Sequence, residues 1–418
     1  MAGDIATSAW AREVNAARIL TELRRRPPDR GEMSSGDLMD ATGMSRPTVH
    51  AAAQRLVELG WVRETSDRAG GRTQGRGRPS RVFSFTPTAG YVLGIDIGAH
   101  SVRIALADLH GETTAESQTE FDDPSISPRR RIARVRELAV DVVRQAGLRN
   151  EQVLAVCVGT SGTVDAEGVV RLRTGIPGFL GVDLHAALAQ DFGEHVRVEN
   201  DCNLALIGER WRGNAGAFDD VVCLLAGERL GVGMCTGGTL VRGHVNSARD
   251  LDFLSLMGRH SSEDGIASTV RHGGASMLAK MSARAEPPGP GTPGAGLYAL
   301  VAGDPERVSA RDVFEAARQG DTGAAAIVEE GLEAAAYALG TLTMLLAPEL
   351  VVITGAVAAV GDVLIPPLRR RLAELVPRVP RVEASPLRDQ AVVTGAVRLA
   401  LDTAEHQYLD TLAPPPAP

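Results

Sequence analysis

Tyr91-Val92-Leu93-Gly94-Ile95-Asp96-Ile97-Gly98 is an apolar run that carries one acid and closes on glycine, and Val102 to Ala107 takes up the apolar pattern after a short break. The two read as strands of one hairpin. Towards the C-terminus a helix is expected over roughly Ile132 to Gln145, then a buried strand from Val153 to Gly159. A second glycine-rich strand hairpin falls between Asp220 and Val241. After it come a helix near Ala324–Leu346, the strand Leu350-Val351-Val352-Ile353-Thr354-Gly355 and a closing helix after Gly395. Two glycine-bearing hairpins, each followed by helices, predict a pair of related α/β halves around a cleft. Residues 285–296, rich in Pro and Gly, read as a surface loop, and the Pro-rich tail from Ala413 as disordered.

The chain has 418 residues and a formal net charge of −8, long enough for two or three domains. No apolar run approaches the ~20 residues that span a bilayer. The N-terminus has no basic start, apolar stretch or small-residue cleavage site, so a soluble cytoplasmic protein with no membrane partner is expected. Cys157, Cys202, Cys223 and Cys235 are scattered without a C-x-x-C pair and read as buried free thiols. Lys280 is the only lysine, which suggests compositional bias towards arginine. Charge is unevenly divided. Residues 1–90 hold 14 basic and 10 acidic side chains, a net of +4, whereas the remainder carries −12. A basic head on an acidic body suggests that one end meets a polyanion.

That head carries three helical patterns. The first runs roughly from Val14 to Arg26 and is stopped by Pro27-Pro28. The second is short, capped by Ser34 or Ser35 and closed by Gly43 in a left-handed conformation. The third opens at Ser45 as N-cap, buries Val49, Ala53, Leu56 and Leu59, and ends at Gly60. Two helices around a tight glycine turn form a helix-turn-helix pattern. Arg46, Thr48, His50 and Gln54 lie on the opposite face near its N-terminal end, where they can reach base edges or phosphates; an ordinary solvated face is the bland alternative. Trp61–Glu64 and Val82–Phe85 read as strands of a wing, joined by a glycine-rich tongue with Arg68, Arg72, Arg76, Arg78 and Arg81. Arg76-Gly77-Arg78-Pro79 resembles the core of an AT-hook, whose extended arginines lie in a narrow A·T-rich minor groove. The other reading is a flexible arginine-rich linker.

Gly94-Ile95-Asp96-Ile97-Gly98, Glu199-Asn200-Asp201-Cys202-Asn203, Gly231-Val232-Gly233 and Pro348–Gly355, in that order behind a winged helix, resemble the ROK family of repressors and sugar kinases. The resemblance covers nearly the whole chain. It implies an α/β protein with an N-terminal winged helix-turn-helix followed by a two-lobed, actin/hexokinase-like (ribonuclease H-like) body. The expected divisions are 1–88 for the winged helix, 89–199 for the first lobe, 200–404 for the second, whose closing helix returns to the first, and 405–418 for the tail. It also implies a homodimer or tetramer.

Kinases of the family carry Asp-x-Gly-Gly-Thr at the first phosphate hairpin; here Ala99 and His100 replace the last two residues. A Cβ there obstructs close backbone approach and the threonine hydroxyl is lost. The second phosphate hairpin reads Gly227-Glu228-Arg229-Leu230-Gly231-Val232-Gly233, which places an acid and a bulky arginine in the turn. Asn200 and Asp201 match the family's sugar-binding asparagine and catalytic base, and Asp250 its sugar-binding glutamate one methylene shorter, while Phe253 stands in place of a histidine. Asn200-Asp201 also reads as the N-cap of the following helix. The family's cysteine-rich zinc cluster is missing, and His260 and His272 alone make no closed site. The sequence therefore predicts no catalytic residue, cofactor or metal. Its leading reading is a DNA-binding regulator, a repressor, with Ser45, Arg46, Thr48, His50, Gln54, Arg72, Arg76 and Arg78 on a palindromic operator with A·T-rich flanks. Asn200, Asp201 and Asp250 would then meet a sugar, sugar phosphate or other small effector, and Arg229 and Arg249 beside the cleft admit an anionic one. A bifunctional ATP-dependent sugar kinase and an effector-independent regulator remain as alternatives.

Overall fold

A computed structural model describes residues 2–26, 31–65, 81–121, 123, 125–172, 174–243, 254, 265–283, 287–289 and 291–412, with side chains within 11–407. The arginine tongue, Asp250 with its neighbours Arg249 and Phe253, His260 and the tail beyond residue 412 lie outside these residues.

The head is built from α1 (Ala2–Arg24), α2 (Ser35–Thr42), α3 (Arg46–Glu58) and a sheet of β1 (Glu32–Ser34), β3 (Val82–Phe85) and β2 (Val62–Thr65), in that order. Helix α1 starts twelve residues before the expected Val14, since no proline interrupts the preceding sequence. Ser34 and Asp37 form a reciprocal capping box on α2, and Gly43 ends it at φ 69°. Ile19, Leu20, Leu23, Leu38, Val49, Ala53, Leu56 and Phe83 fill the core of the head. Leu59 is 40% exposed, contrary to the helical pattern, because α3 ends one residue before it. Strand β1 adds a third strand to the expected wing pair.

Two five-stranded sheets form the body. The first has the order β10-β7-β4-β5-β6, from β4 (Tyr91–Ile97), β5 (Ser101–Asp108), β6 (Thr113–Glu120), β7 (Val153–Thr160) and β10 (Val196–Asn200). The second has the order β13-β12-β11-β14-β15, from β11 (Val221–Ala226), β12 (Leu230–Thr236), β13 (Thr239–Leu240), β14 (Leu350–Thr354) and β15 (Arg381–Ala384). Each is an antiparallel three-strand meander followed by two parallel strands, so the halves share one topology. A small hairpin of β8 (Thr163–Val164) and β9 (Val170–Leu172) stands apart.

Helices α4 (Pro128–Gln145) and α5 (Leu184–Phe192) cover the outer face of the first sheet. The outer face of the second carries α7 (Ile266–Ser282), α8 (Ala295–Leu300), α9 (Ala310–Arg318), α10 (Thr322–Gly331), α11 (Glu333–Leu346) and α12 (Gly361–Leu375). The single helix expected near Ala324–Leu346 is two, parted at Leu332. Between the sheets lie α6 (Asp201–Arg212) and α13 (Ala391–Leu412), the latter starting four residues before the expected Gly395. Ala391 to Ala404 is buried on nearly every side, as a helix between two sheets must be. All four cysteines are free and buried.

The two inner helices cross backbone to backbone. A Cβ on Gly395 would sit 1.8 Å from the Leu204 carbonyl oxygen, and one on Gly208 2.3 Å from that of Ala391. Helix α13 continues past this crossing to the head, where it packs on α1 and Glu405 pairs with Arg24. Among the described residues no helix is long and apolar enough to cross a membrane. Because a backbone atom cannot yield to a new methyl, Gly395→Ala is expected to cost about 3 kcal/mol, read as a lower urea midpoint with unchanged m value.

Candidate functional site

Helix α3 presents Arg46, His50 and Gln54 on one face at the spacing of successive turns, with Arg46 and Gln54 exposed and His50 half-buried. Ser45 is the N-cap by position, but its side chain makes no bond to the helix backbone. Its hydroxyl lies 2.8 Å from that of Thr48 instead, which holds Thr48 at the margin of the exposed face. At the base of the wing Arg81 forms a two-pronged ion pair with Glu64, with Nη2 at 2.6 Å from the carboxylate, so this arginine braces the wing. Arg72, Arg76 and Arg78 fall outside the described residues.

The second site is a cleft of about 370 Å³ between the sheets. Its floor is the N-terminal end of α6. Asn200 caps that helix through its side-chain oxygen, which accepts from Cys202 N at 2.9 Å and Asn203 N at 3.3 Å, while its amide donates to Gly162 O at 3.0 Å. Asp201 also accepts from Cys202 N, at 2.8 Å. Capping is therefore realised at Asn200, and both residues still line the cleft. Behind them buried Glu199 bonds Asn203 at 2.7 Å and meets Arg242 at 3.3 Å.

The turn between β4 and β5 forms one wall. Gly98 N bonds Ser101 O at 2.9 Å, and the fully buried Arg131 of α4 donates to Gly98 O at 3.0 Å and Ala99 O at 2.9 Å while stacking on Phe121. Burial pushes the Arg131 guanidinium below its ordinary value. Asp96 faces Arg103 at 3.9 Å, and Arg103 reaches across the cleft to Asp389 at 2.6 Å. Burial, and then the neighbouring charge of Asp201, push the Asp96 carboxyl up to about 7 against the opposing pull of Arg103.

The opposite wall is the turn between β11 and β12. Gly227 is committed on both sides, its N–H to Arg229 O at 3.1 Å and its carbonyl to Ala267 N, at the start of α7, at 3.0 Å. Glu228 does not stand as an open acid in this turn: Arg271 holds it at 2.7 Å. Arg229 lies against Gly175, where an added Cβ would come within 2.9 Å of its side chain. Further along, Arg388 has φ 53°, a left-handed conformation that costs a side-chain-bearing residue ~1–2 kcal/mol. Among the described residues no group of three or more His, Cys, Asp or Glu is placed to hold a metal ion.

Sequence reading found Asp96, Asn200, Asp201, Arg229 and the two turns, which the fold brings to one cleft. It missed Arg103, Arg131, Arg242, Arg388 and Asp389, and read Glu199 only as part of a motif. Arg131 sits in a triple-arginine turn that looks like a solvated helix start, and Arg103 gains its meaning only from a partner 286 residues away. Asp250 cannot be placed, since it lies outside the described residues.

A winged helix seated on two halves of ribonuclease H-like topology, with a polar cleft between them, defines a sugar-kinase-type body that carries a DNA-binding head. The profile of the ROK family matches residues 92–251 and 292–403, and the chain belongs to that family. Its head matches the MarR family over residues 13–73. Over 321 residues it is 28% identical to a glucokinase of Thermotoga maritima, covering 74% of this chain and 96% of that protein. A xylose repressor of Caldicellulosiruptor bescii is 23% identical over 375 residues, covering 86% and 89%. In fold, the chain superposes with TM-score 0.70 on a ROK family transcriptional regulator described as a homologue of the E. coli MLC protein, at 19% identity and covering 97% and 99% of the two chains.

The raised Asp96 fixes a pH signature. A carboxyl whose folded pKa lies above its unfolded value supports the fold fully below pH ~4, and that support is lost as pH rises through about 7. Asp96→Asn removes this titration. The stability of the variant relative to the parent is therefore expected to grow between pH 5 and 8 and level off above, in urea titrations at each pH.

Proposed function

We propose that this protein is a DNA-binding transcriptional repressor whose kinase-like body senses a small hydroxylated ligand and does not phosphorylate it. The observation that carries the reading is the Asp96–Arg103–Asp389 bridge. Phosphoryl transfer needs a carboxylate for the metal and open backbone donors for the phosphates. Here an arginine of the chain faces that carboxylate, and the Gly227 turn spends its N–H and its carbonyl on internal bonds. Asp201 keeps a carboxylate in the cleft, suited to accept hydroxyl protons from a polyol. On DNA, Arg46, His50 and Gln54 occupy the major groove. Ser45 and Thr48 sit at the helix start near the phosphates, and Arg72, Arg76 and Arg78 enter the flanking minor groove. Two heads on a homodimer or tetramer read a palindrome. Ligand-driven closure of the cleft shifts the population between operator-binding and non-binding states.

The similarity to a glucokinase over most of its length favours one competing reading, a bifunctional sugar kinase. A coupled assay with ATP, magnesium and glucose separates the two: no ADP above background is expected, and turnover abolished by Asp201→Asn would establish the kinase. For the head, selection from random duplexes is expected to enrich an inverted repeat with A·T-rich flanks. Arg46→Ala and Gln54→Ala are each expected to weaken the enriched site by about 10- to 100-fold while leaving random duplex nearly unaffected. Arg76→Ala with Arg78→Ala is expected to flatten the salt dependence. Salt-sensitive binding without any enriched sequence would overturn the regulator.

A further inference from the structure

We propose that the body carries a second ligand site, separate from the cleft, for a small apolar carboxylate: an aromatic or branched aliphatic acid. The site is a cavity of about 330 Å³ on the flank of the body, between the C-terminal half of α6, the β12–β13 hairpin and α13. That volume lies at the small end of ligand cavities. None of the residues that line it lines the cleft. Along α6, Asp201 on the cleft floor and Arg210 in this cavity are roughly 14 Å apart at 1.5 Å per residue. The inference is therefore independent of the sensor reading of the cleft. Arg398 of α13 lines both this cavity and the one at the junction with the head, where it is joined by Arg24 and His110. An occupant would lie one side chain away from the winged helix.

The chemistry of the lining selects the ligand. Leu206, Ile207 and Trp211 from α6 and Leu240 from β13 make the walls apolar. Half-buried Arg210 is set among them, and its guanidinium is fixed in place: Nη1 donates to Cys235 Sγ at 2.5 Å and to the Gly238 carbonyl at 2.7 Å. Neither partner supplies a negative charge. Burial pushes the Cys235 thiol up against the pull of Arg210, and its hydrogen is donated to the Asp219 carbonyl at 3.2 Å, so the sulfur accepts as a neutral atom. Among the described residues no carboxylate pairs with Arg210, and its Nε and Nη2 make no hydrogen bond. The remaining two charges of the lining cancel, since Arg398 pairs with Asp402 one turn further along α13. A guanidinium held on one edge, without a counter-charge and bordered by apolar walls, keeps a fork of donors for two carboxylate oxygens. A sugar finds apolar wall where it needs acceptors, because Asp402 is taken by Arg398. A polyphosphate brings more negative charge than one uncompensated arginine offsets.

Isothermal titration of the full chain tests this with benzoate and 3-methylbutanoate as probes and with benzyl alcohol and acetate as controls. At least one of the two acids is expected to bind the parent with Kd below about 1 mM. Benzyl alcohol, which lacks the acid, and acetate, which lacks the apolar body, are expected to bind about 10- to 100-fold more weakly. Arg210→Met keeps the apolar stem without the charge and is expected to bring benzoate to the level of benzyl alcohol. Arg210→Lys, which keeps the charge but not the fork, is expected to fall between. Leu240→Glu supplies an acid from within the protein. Leu240 stands opposite Cys235 in the β12–β13 pair, so a carboxylate there reaches Arg210. This variant is expected to lose benzoate binding while Tm stays equal or rises, and it decides the matter should Arg210→Met fail to fold. No heat from either acid, equal affinity for benzoate and benzyl alcohol, or benzoate binding undiminished in Leu240→Glu overturns the site.

Discussion

The architecture turns on the place where α6 and α13 cross. Two glycines, Gly208 and Gly395, let the helix backbones touch, and no larger residue fits at either position. That contact sets the spacing of the layer between the sheets, and with it the width of the cleft. The N-terminal end of α6 delivers Asn200 and Asp201 to the cleft floor, and the approach to α13 delivers Arg388, Asp389 and Val392 to its wall. Further along α6, Glu209 anchors the loop that positions Arg388. One close approach therefore places groups on both sides of the site.

The same helix ties the site to the head. From Val392 at the cleft to Glu405 beside Arg24 is roughly 20 Å of unbroken helix at 1.5 Å per residue. The junction is supplemented by His110 set edge-on to Phe85. Burial lowers the pKa of this histidine, which favours the neutral ring in the packed junction. The apolar core is also continuous, running from the winged helix through the first sheet into the inner face of the second. In the proposed sensor, this helix, with one end at the cleft and the other against the winged helix, is the element through which cleft closure would reach the head.

How far the sequence disclosed this depends on the reach of each interaction. Elements with strong local pattern were legible: the apolar strands Tyr91–Ile97, Val153–Thr160 and Leu350–Thr354, and helices α2 and α3 with their serine and glycine boundaries. Strand β6 was not, because Thr113–Glu120 is a polar edge strand without apolar alternation, as exposed edges often are. Strand β1 has only three residues and is defined by its partner β3. At the cleft, the motif residues were readable, but the Arg103–Asp389 bridge, the Glu209–Ser385 bond and the conformation of Arg388 exist only once distant segments meet. The acid that Glu228 places in the second hairpin turn also changed meaning, since Arg271 on α7 pairs with it.

The position of α13 along the chain has a consequence for how the molecule is made. Val92 of β4 and Ala155 and Cys157 of β7 bury their side chains against this helix and its neighbour α6. Yet Ala391 follows Ile97 only after the whole second sheet and its helices. During synthesis from the N-terminus, the first lobe emerges with its inner apolar face bare and must wait for a segment made much later. The winged helix, made first, likewise gains its Glu405 anchor only at that stage. The lobe that a nascent chain presents earliest is thus the one completed last, and this interval is when its exposed strands are most open to capture by chaperones or by other copies.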